Sequence, residues 1–237
     1  MSKSRSSQKT KKVSISQLNN HTVHNKRQAL KDLKQLNFDE MEFKTPAQKR
    51  FYNTITKKDV TFCIGPAGCG KTFLSVHRAL RELGDKESKV DGIVIVKPLV
   101  EADGEKIGFL PGDLKEKLSP YLRPLHDALM DMMPAEDIQR HMEREAIEIA
   151  PLAYMRGRTL NNAFVILDEA QNTTDEQMFM FLTRLGYNTK AVVTGDTTQI
   201  DLPAQKRSGL IEAIETLAKV KEVRLVKLVE KDVIRHP

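Results

Sequence analysis

Val60-Thr61-Phe62-Cys63-Ile64 runs directly into Gly65-Pro66-Ala67-Gly68-Cys69-Gly70-Lys71-Thr72, and a helical pattern follows from Phe73 to Leu83. Strand, glycine-rich turn and helix form the opening of a β–α unit. The turn carries the spelling G-x-x-x-x-G-K-[ST], which in that context marks a phosphate-binding loop. A nucleoside triphosphate presents several negative charges, and backbone N–H groups can surround them only where side chains stay out of the way. Gly65, Gly68 and Gly70 let the loop curl, and Pro66, Ala67 and Cys69 complete the cradle. Lys71 is placed to reach the β- and γ-phosphates, and the Thr72 hydroxyl to ligate Mg²⁺. The helix beginning near Lys71 adds the positive end of its dipole.

The rest of the chain repeats this alternation. Gly92-Ile93-Val94-Ile95-Val96, Ala163-Phe164-Val165-Ile166-Leu167, Ala191-Val192-Val193-Thr194 and Val223 to Val229 read as four further strands. The Gly92 to Val96 run is apolar on both faces, as parallel strands are. Helical patterns lie at Asp175 to Leu185 and Ser208 to Ala218, so the expectation is an α/β domain with a mostly parallel sheet and helices on both faces. Thr45-Pro46 reads as a helix start that leads through Phe51 and Ile55. Lys97 to Gly112 is too long for an ordinary connection and reads as a functional loop. Asp113 caps a helix that Pro120 and Pro124 are expected to interrupt or restart. A charged helix follows over Ala135 to Glu145, and Met130, Met132 and Met133 read as core packing.

Composition bounds the function. The chain has 237 residues, 40% hydrophobic and 30% charged, enough for one domain with extensions. It contains no apolar stretch long enough to span a membrane, and Met1 to Ser7 lack the apolar core of a secretory signal. Cys63 and Cys69 are the only cysteines, too few for a disulfide framework or a zinc site, so a reducing cytoplasm is expected. The net charge is +6. Met1 to Gln35 alone hold nine Lys/Arg against Asp32, more than the whole surplus, so the body after them is slightly acidic. Residues 1–42 therefore read as a basic arm and 43–237 as the folded domain. Such an arm suits a phosphate backbone. With aromatics at 5% and no Trp, no dedicated base-stacking platform is expected.

Two more strand ends complete the chemistry. Asp168-Glu169-Ala170-Gln171 follows the strand at Ala163 to Leu167, at the sheet edge where α/β proteins gather ligands. Asp168 is expected to support Mg²⁺ and Glu169 to deprotonate the water that attacks the γ-phosphate. Thr194-Gly195-Asp196-Thr197-Thr198-Gln199 ends another strand, with Gln199 placed to contact the γ-phosphate or that water.

With these residues together the chain resembles the PhoH family of P-loop ATPases, related to the ATP-binding core of superfamily 1 helicases. The likeness runs from about Phe43 to Pro237. Besides the loop, it rests on Lys97-Pro98 with Glu101-Ala102, Gly108 to Gly112, Met155 to Thr159, Asp168 to Asn172, Gly195-Asp196 with Gln199, and Asp232 to Pro237. The resemblance implies a single RecA-like domain, ATP and Mg²⁺ as cofactors, and a link to RNA metabolism or phosphate starvation. Cys69 stands where the family more often has Thr or Ser. By similarity Gln48 reads adenine; on sequence alone it is equally an exposed helix glutamine. Arg235 is the expected transition-state arginine, with Arg156 and Arg158 as rivals that could reach a neighbouring subunit's nucleotide. Relatives usually continue through a final helix beyond the equivalent of Pro237.

Two functions from different classes follow. One is a helicase-like ATPase acting on single-stranded nucleic acid, RNA ahead of DNA. With one RecA-like domain it would work as a homo-oligomer, most naturally a hexameric ring. The other is an ATP-gated binding switch without strand separation. Ribonuclease activity is a third reading, for which the sequence supplies no separate acidic centre.

Overall fold

The computed structural model describes residues 41–99, 114–203 and 205–234. The basic arm, most of the Lys97 to Gly112 loop and Arg235 lie outside the described residues.

Helix α1 (Pro46–Lys57) opens the described fold and begins where expected. The Thr45 hydroxyl accepts from the Gln48 amide, and the Gln48 side chain accepts from the Thr45 amide. This reciprocal cap satisfies two donors that a helix start otherwise leaves bare. The strands are β1 (Val60–Ile64), β2 (Gly92–Lys97), β3 (Ile147–Pro151), β4 (Ala163–Leu167), β5 (Lys190–Gly195) and β6 (Val223–Lys227). The other helices are α2 (Lys71–Gly84), α3 (Leu114–Met130), α4 (Ala135–Glu143), α5 (Asp175–Leu182) and α6 (Gly209–Leu217).

All six strands pair in parallel in the order β3-β2-β4-β5-β1-β6. Alternate residues feed two cores. Ile93, Ile95, Phe164, Ile166 and Val192 join Phe51, Leu80 and Leu125 on one face. Val94, Val96, Val165, Leu167 and Val193 join Phe181 and Leu210 on the other. This two-residue alternation is why the central strands are apolar on both faces.

The expected α/β class is therefore correct, with two differences. Ile147-Glu148-Ile149-Ala150-Pro151 forms a sixth strand that the five-strand reading omits. Among the described residues it is an edge strand paired only to β2, so one side needs no ladder and both Glu148 and the terminal Pro151 are tolerated. Helix α3 runs without a break through Pro120 and Pro124, contrary to the expected interruption. The prolines are four residues apart and both exposed, so they share one water-facing stripe of the helix. Of the methionines, Met133 is buried and Met132 packs against the core, whereas Met130 is half exposed.

Candidate nucleotide site

Register places the three motifs side by side. Ile64 of β1 lies opposite Gly195 of β5, and Leu167 of β4 lies opposite Val193. The segments after β1, β4 and β5 therefore leave the same carboxyl edge of adjacent strands. That edge is where ligands gather in open α/β sheets.

The loop after β1 is shaped by two glycines in left-handed backbone, Gly68 at φ 81° and Gly70 at φ 84°. Gly65 is required for a different reason. A Cβ there would stand 2.7 Å from the Leu228 carbonyl oxygen and 2.8 Å from Leu228 Cβ. The Lys71 ammonium donates to the carbonyls of Gly65 at 2.6 Å and Pro66 at 2.9 Å. The Cys69 thiol also donates to Pro66, at 2.9 Å. Burial pushes the Cys69 thiol up, and the nearby Lys71 charge offsets part of that shift, so the position behaves as a neutral packing group.

The Thr72 hydroxyl donates to Asp168, at 3.0 and 3.1 Å from its two carboxylate oxygens. The Thr194 hydroxyl donates to the same carboxylate at 2.5 Å. Asp168 is 6% exposed, and these two hydroxyls fix its orientation. Thr72 Oγ1 and an Asp168 oxygen are hard donors held side by side, which fits Mg²⁺, an ion that keeps waters and substrate phosphate oxygens among its ligands. Among the described residues no group of three or more His, Cys, Asp or Glu side chains gathers to hold a metal. The two-donor arrangement needs none.

Glu169 follows in left-handed backbone at φ 54°, ψ 37°. For a residue with a side chain this conformation costs on the order of 1 kcal/mol or more. The Gln171 amide nitrogen donates to the Glu169 carboxylate at 2.7 Å, and the Gln171 amide oxygen accepts from the Asp196 backbone at 3.0 Å. Gln171 thus ties the end of β4 to the end of β5. Asp196 is buried, and burial raises its pKa. The Thr198 hydroxyl and amide, the Lys71 charge and the Ala67 amide outweigh burial and leave its pKa below the ordinary range. Among the described residues the buried Asp196 Oδ2 finds no hydrogen-bond partner.

The remaining sequence candidates are spread out. Gln48 is 2% exposed, so it is not an exposed helix glutamine. Its Nε2 donates to the Cys69 carbonyl at 3.1 Å, while its Oε1 accepts from Lys44 and Thr45. Its amide therefore holds α1 onto the loop. Gln199 is exposed on a turn closed by its own N–H to the Asp196 carbonyl. Arg158 forms a two-pronged pair with Glu148 at 2.6 and 2.7 Å, which raises its pKa. Glu148 sits near the start of β3, so this pair lies toward the amino edge of the sheet, away from the loop. Arg156 is exposed. Arg235 is not described, but the Ile234 amide donates to the Gly68 carbonyl at 3.2 Å, so the backbone just before it rests on the loop.

Sequence reasoning quoted Gln171 and Thr194 within their motifs without giving them a task. Leu228 and Ser208, whose hydroxyl donates to the Gln171 carbonyl at 2.7 Å, carried no local signal.

The family described as PhoH-like protein matches residues 40–237. The chain belongs to that family. It is 55% identical over 193 residues to a PhoH-like protein of Mycobacterium tuberculosis, covering 81% of this chain and 54% of that one. It is 54% identical over 194 residues to a PhoH-like protein of Bacillus subtilis, covering 82% of this chain and 60% of that one. The chain thus spans little more than half the length of the curated relatives it matches. Among solved structures it is similar to the Pif1 helicase of Candida albicans at 16% identity and a TM-score of 0.41, over 80% of this chain and 40% of that one. Among the described residues no helix is long and apolar enough to cross a membrane.

Proposed function

We propose that this PhoH-like chain is a Mg²⁺-dependent ATPase whose turnover is coupled to single-stranded nucleic acid. The observation that supports it best is the Thr72–Asp168–Thr194 contact, which joins the phosphate-binding loop to the carboxyl ends of β4 and β5.

In this reading the loop amides cradle the phosphates. Lys71 transfers its donors from the Gly65 and Pro66 carbonyls to the β- and γ-phosphate oxygens, where charge builds up in the transition state. Thr72 and Asp168 would hold Mg²⁺, which supplies charge neutralisation on the phosphates. Glu169 orients the attacking water and accepts its proton, with Gln171 fixing the carboxylate by its 2.7 Å hydrogen bond. Gln199, on the turn after β5, is assigned to the γ-phosphate or the water. Gln48 supports the loop from behind and offers its remaining N–H to the adenine side. Arg235 is assigned the transition-state charge, since the segment leading to it lies on the loop. Arg156, exposed and beyond the end of β3, is the candidate for a site completed in trans within a homo-oligomeric ring. Arg158 is committed to Glu148 and is the weaker candidate.

The test is ATP hydrolysis by the wild type, Lys71→Ala and Glu169→Gln, each with and without single-stranded RNA. Both variants are expected to lose at least about 100-fold in kcat, and RNA to stimulate only the wild type. Equal rates in wild type and Lys71→Ala would refute the mechanism.

A further inference from the structure

Among the described residues strand β6 is an edge of the sheet, paired only to β1, and α1 packs alongside it. Between them runs a groove of about 430 Å³. Arg50, Asn53, Thr54 and Lys57 of α1 line one wall and residues 224–227 of β6 the other; Arg224 shares the α1 face of the sheet with Val226, whereas Lys227 shares the opposite face with Leu225. The α1 residues fall at i, i+3, i+4 and i+7, one stripe of a helix. It lies beside the buried stripe of Ala47, Gln48, Phe51, Tyr52 and Ile55.

The groove has one sign of charge. Neither α1 nor β6 contains an acidic residue, and among the described residues no carboxylate pairs with the three groove cations, Arg50, Lys57 and Arg224. Asp232 senses Arg50, but it is buried and accepts from the Val229 amide. Glu222 and Glu230 flank β6 outside the lining residues.

The open edge adds donors. The Leu228 amide bonds to Ile64 of β1 at 2.8 Å. Alternation along a parallel strand therefore turns the amides of Leu225 and Lys227 to the unpaired side, where an edge can bind anions.

Both walls end on the phosphate-binding loop. At the head of α1, Gln48 holds the Cys69 carbonyl. At the end of β6, Leu228 lies against Gly65. A strand seated in the groove thus touches two elements whose far ends set the loop's shape.

We propose that the α1–β6 groove holds the phosphodiester backbone of single-stranded nucleic acid. This rests on the nucleic-acid-coupled ATPase reading and assigns its surface to the folded domain rather than to the basic arm alone. Contacts confined to the backbone give affinity without sequence preference.

The test uses the full chain and a labelled single-stranded oligouridylate, with binding followed by fluorescence anisotropy across a salt series. The variant combines Arg50→Ala, Lys57→Ala and Arg224→Ala. Each phosphate contact contributes about 0.7 to the slope of log affinity against log salt for a single strand. The triple variant should flatten that slope by about 2 and weaken binding about 100-fold at roughly 0.1 M salt. All three side chains are exposed, so basal ATP hydrolysis should hold. The charge-keeping Arg50→Lys/Arg224→Lys variant should retain the slope. Wild-type affinity and slope in the triple variant would overturn the groove. So would a duplex that competes as well as the single strand, or a change in sedimenting mass, which would make the groove a subunit interface. A wild-type chain that fails to bind oligouridylate and shows no RNA-stimulated turnover would instead remove the coupled reading itself.

Discussion

Replacing Gln171 by leucine should cut turnover without abolishing nucleotide binding. The side chain is 1% exposed, and its amide makes a charge-assisted bond to Glu169 at 2.7 Å and accepts the buried Asp196 amide at 3.0 Å. Losing the first costs about 1.5–3 kcal/mol, and leaving the second donor unsatisfied costs about 1–3 kcal/mol. A total near 3 kcal/mol lowers the melting temperature by roughly 6–12 °C for a domain of this size. The catalytic part is separable. A Glu169 carboxylate released from its donor is expected to lose about 10- to 100-fold in kcat, with the KM for ATP close to wild type.

Gln171→Glu sharpens the test, because it keeps the acceptor for Asp196 but sets a second carboxylate against Glu169. Like charges at that distance drive one of the two carboxyls to take up a proton as the pH falls, which restores a donor. The kcat deficit of Gln171→Glu should therefore shrink from pH 8 toward about pH 5.5, whereas that of Gln171→Leu should not. Scanning calorimetry and steady-state ATP hydrolysis across that range supply the readouts. If Gln171→Leu turned over within about twofold of wild type while melting lower, Gln171 would be a structural strut only and the positioning argument would be wrong.

Two other outcomes follow from contacts around the loop. Gly65→Ala drives a Cβ into the Leu228 backbone at 2.7 Å, so either the loop or the chain after β6 must move. The affinity for a fluorescent ATP analogue should drop at least about 10-fold, and wild-type affinity would mean the contact is soft. Asp232 is held below the ordinary carboxylate pKa: burial raises it, but the Val229 amide, Thr45, Lys231 and Arg50 prevail. A depressed folded-state pKa contributes stability above the unfolded value that disappears as pH falls through the folded one. Urea melts of Asp232→Asn should thus show their largest deficit at neutral pH and converge on wild type below about pH 4; a deficit independent of pH would exclude the charge as its source.

The sheet was legible because its central strands are apolar on both faces, a pattern that survives without any partner information. Edge strand β3 was not, since Ile147-Glu148-Ile149-Ala150-Pro151 needs only one ladder and one buried face and can carry a charge and a proline. The uninterrupted α3 was misread for a related reason: a proline's cost depends on whether the freed carbonyl faces water, which spacing within a single helix cannot settle. At the site, the loop, Asp168 and Glu169 stood in contiguous motifs whose chemistry dictates residue type. What remained hidden was distant in sequence. Nothing near Gln48 signals that its amide reaches Cys69, and nothing near Leu228 signals that its carbonyl occupies the space a side chain at position 65 would need. The two-pronged pair that draws Arg158 to Glu148 likewise depends on β3, the strand that went unread.

The contacts between Leu228 and Gly65 and between Ile234 and Gly68 also bear on how the protein folds. They join opposite ends of the described chain, and contacts of such long range are the slowest to form because the intervening loop entropy must be overcome first. The phosphate-binding loop therefore takes its final shape only after β6 has docked on β1. During synthesis the loop emerges before β6 and stays unbraced until that strand arrives, so nucleotide binding would follow the docking of β6 on β1. A refolding trace followed by a fluorescent ATP analogue should lag the recovery of helical signal, with the delay reporting the docking of the sheet's final edge.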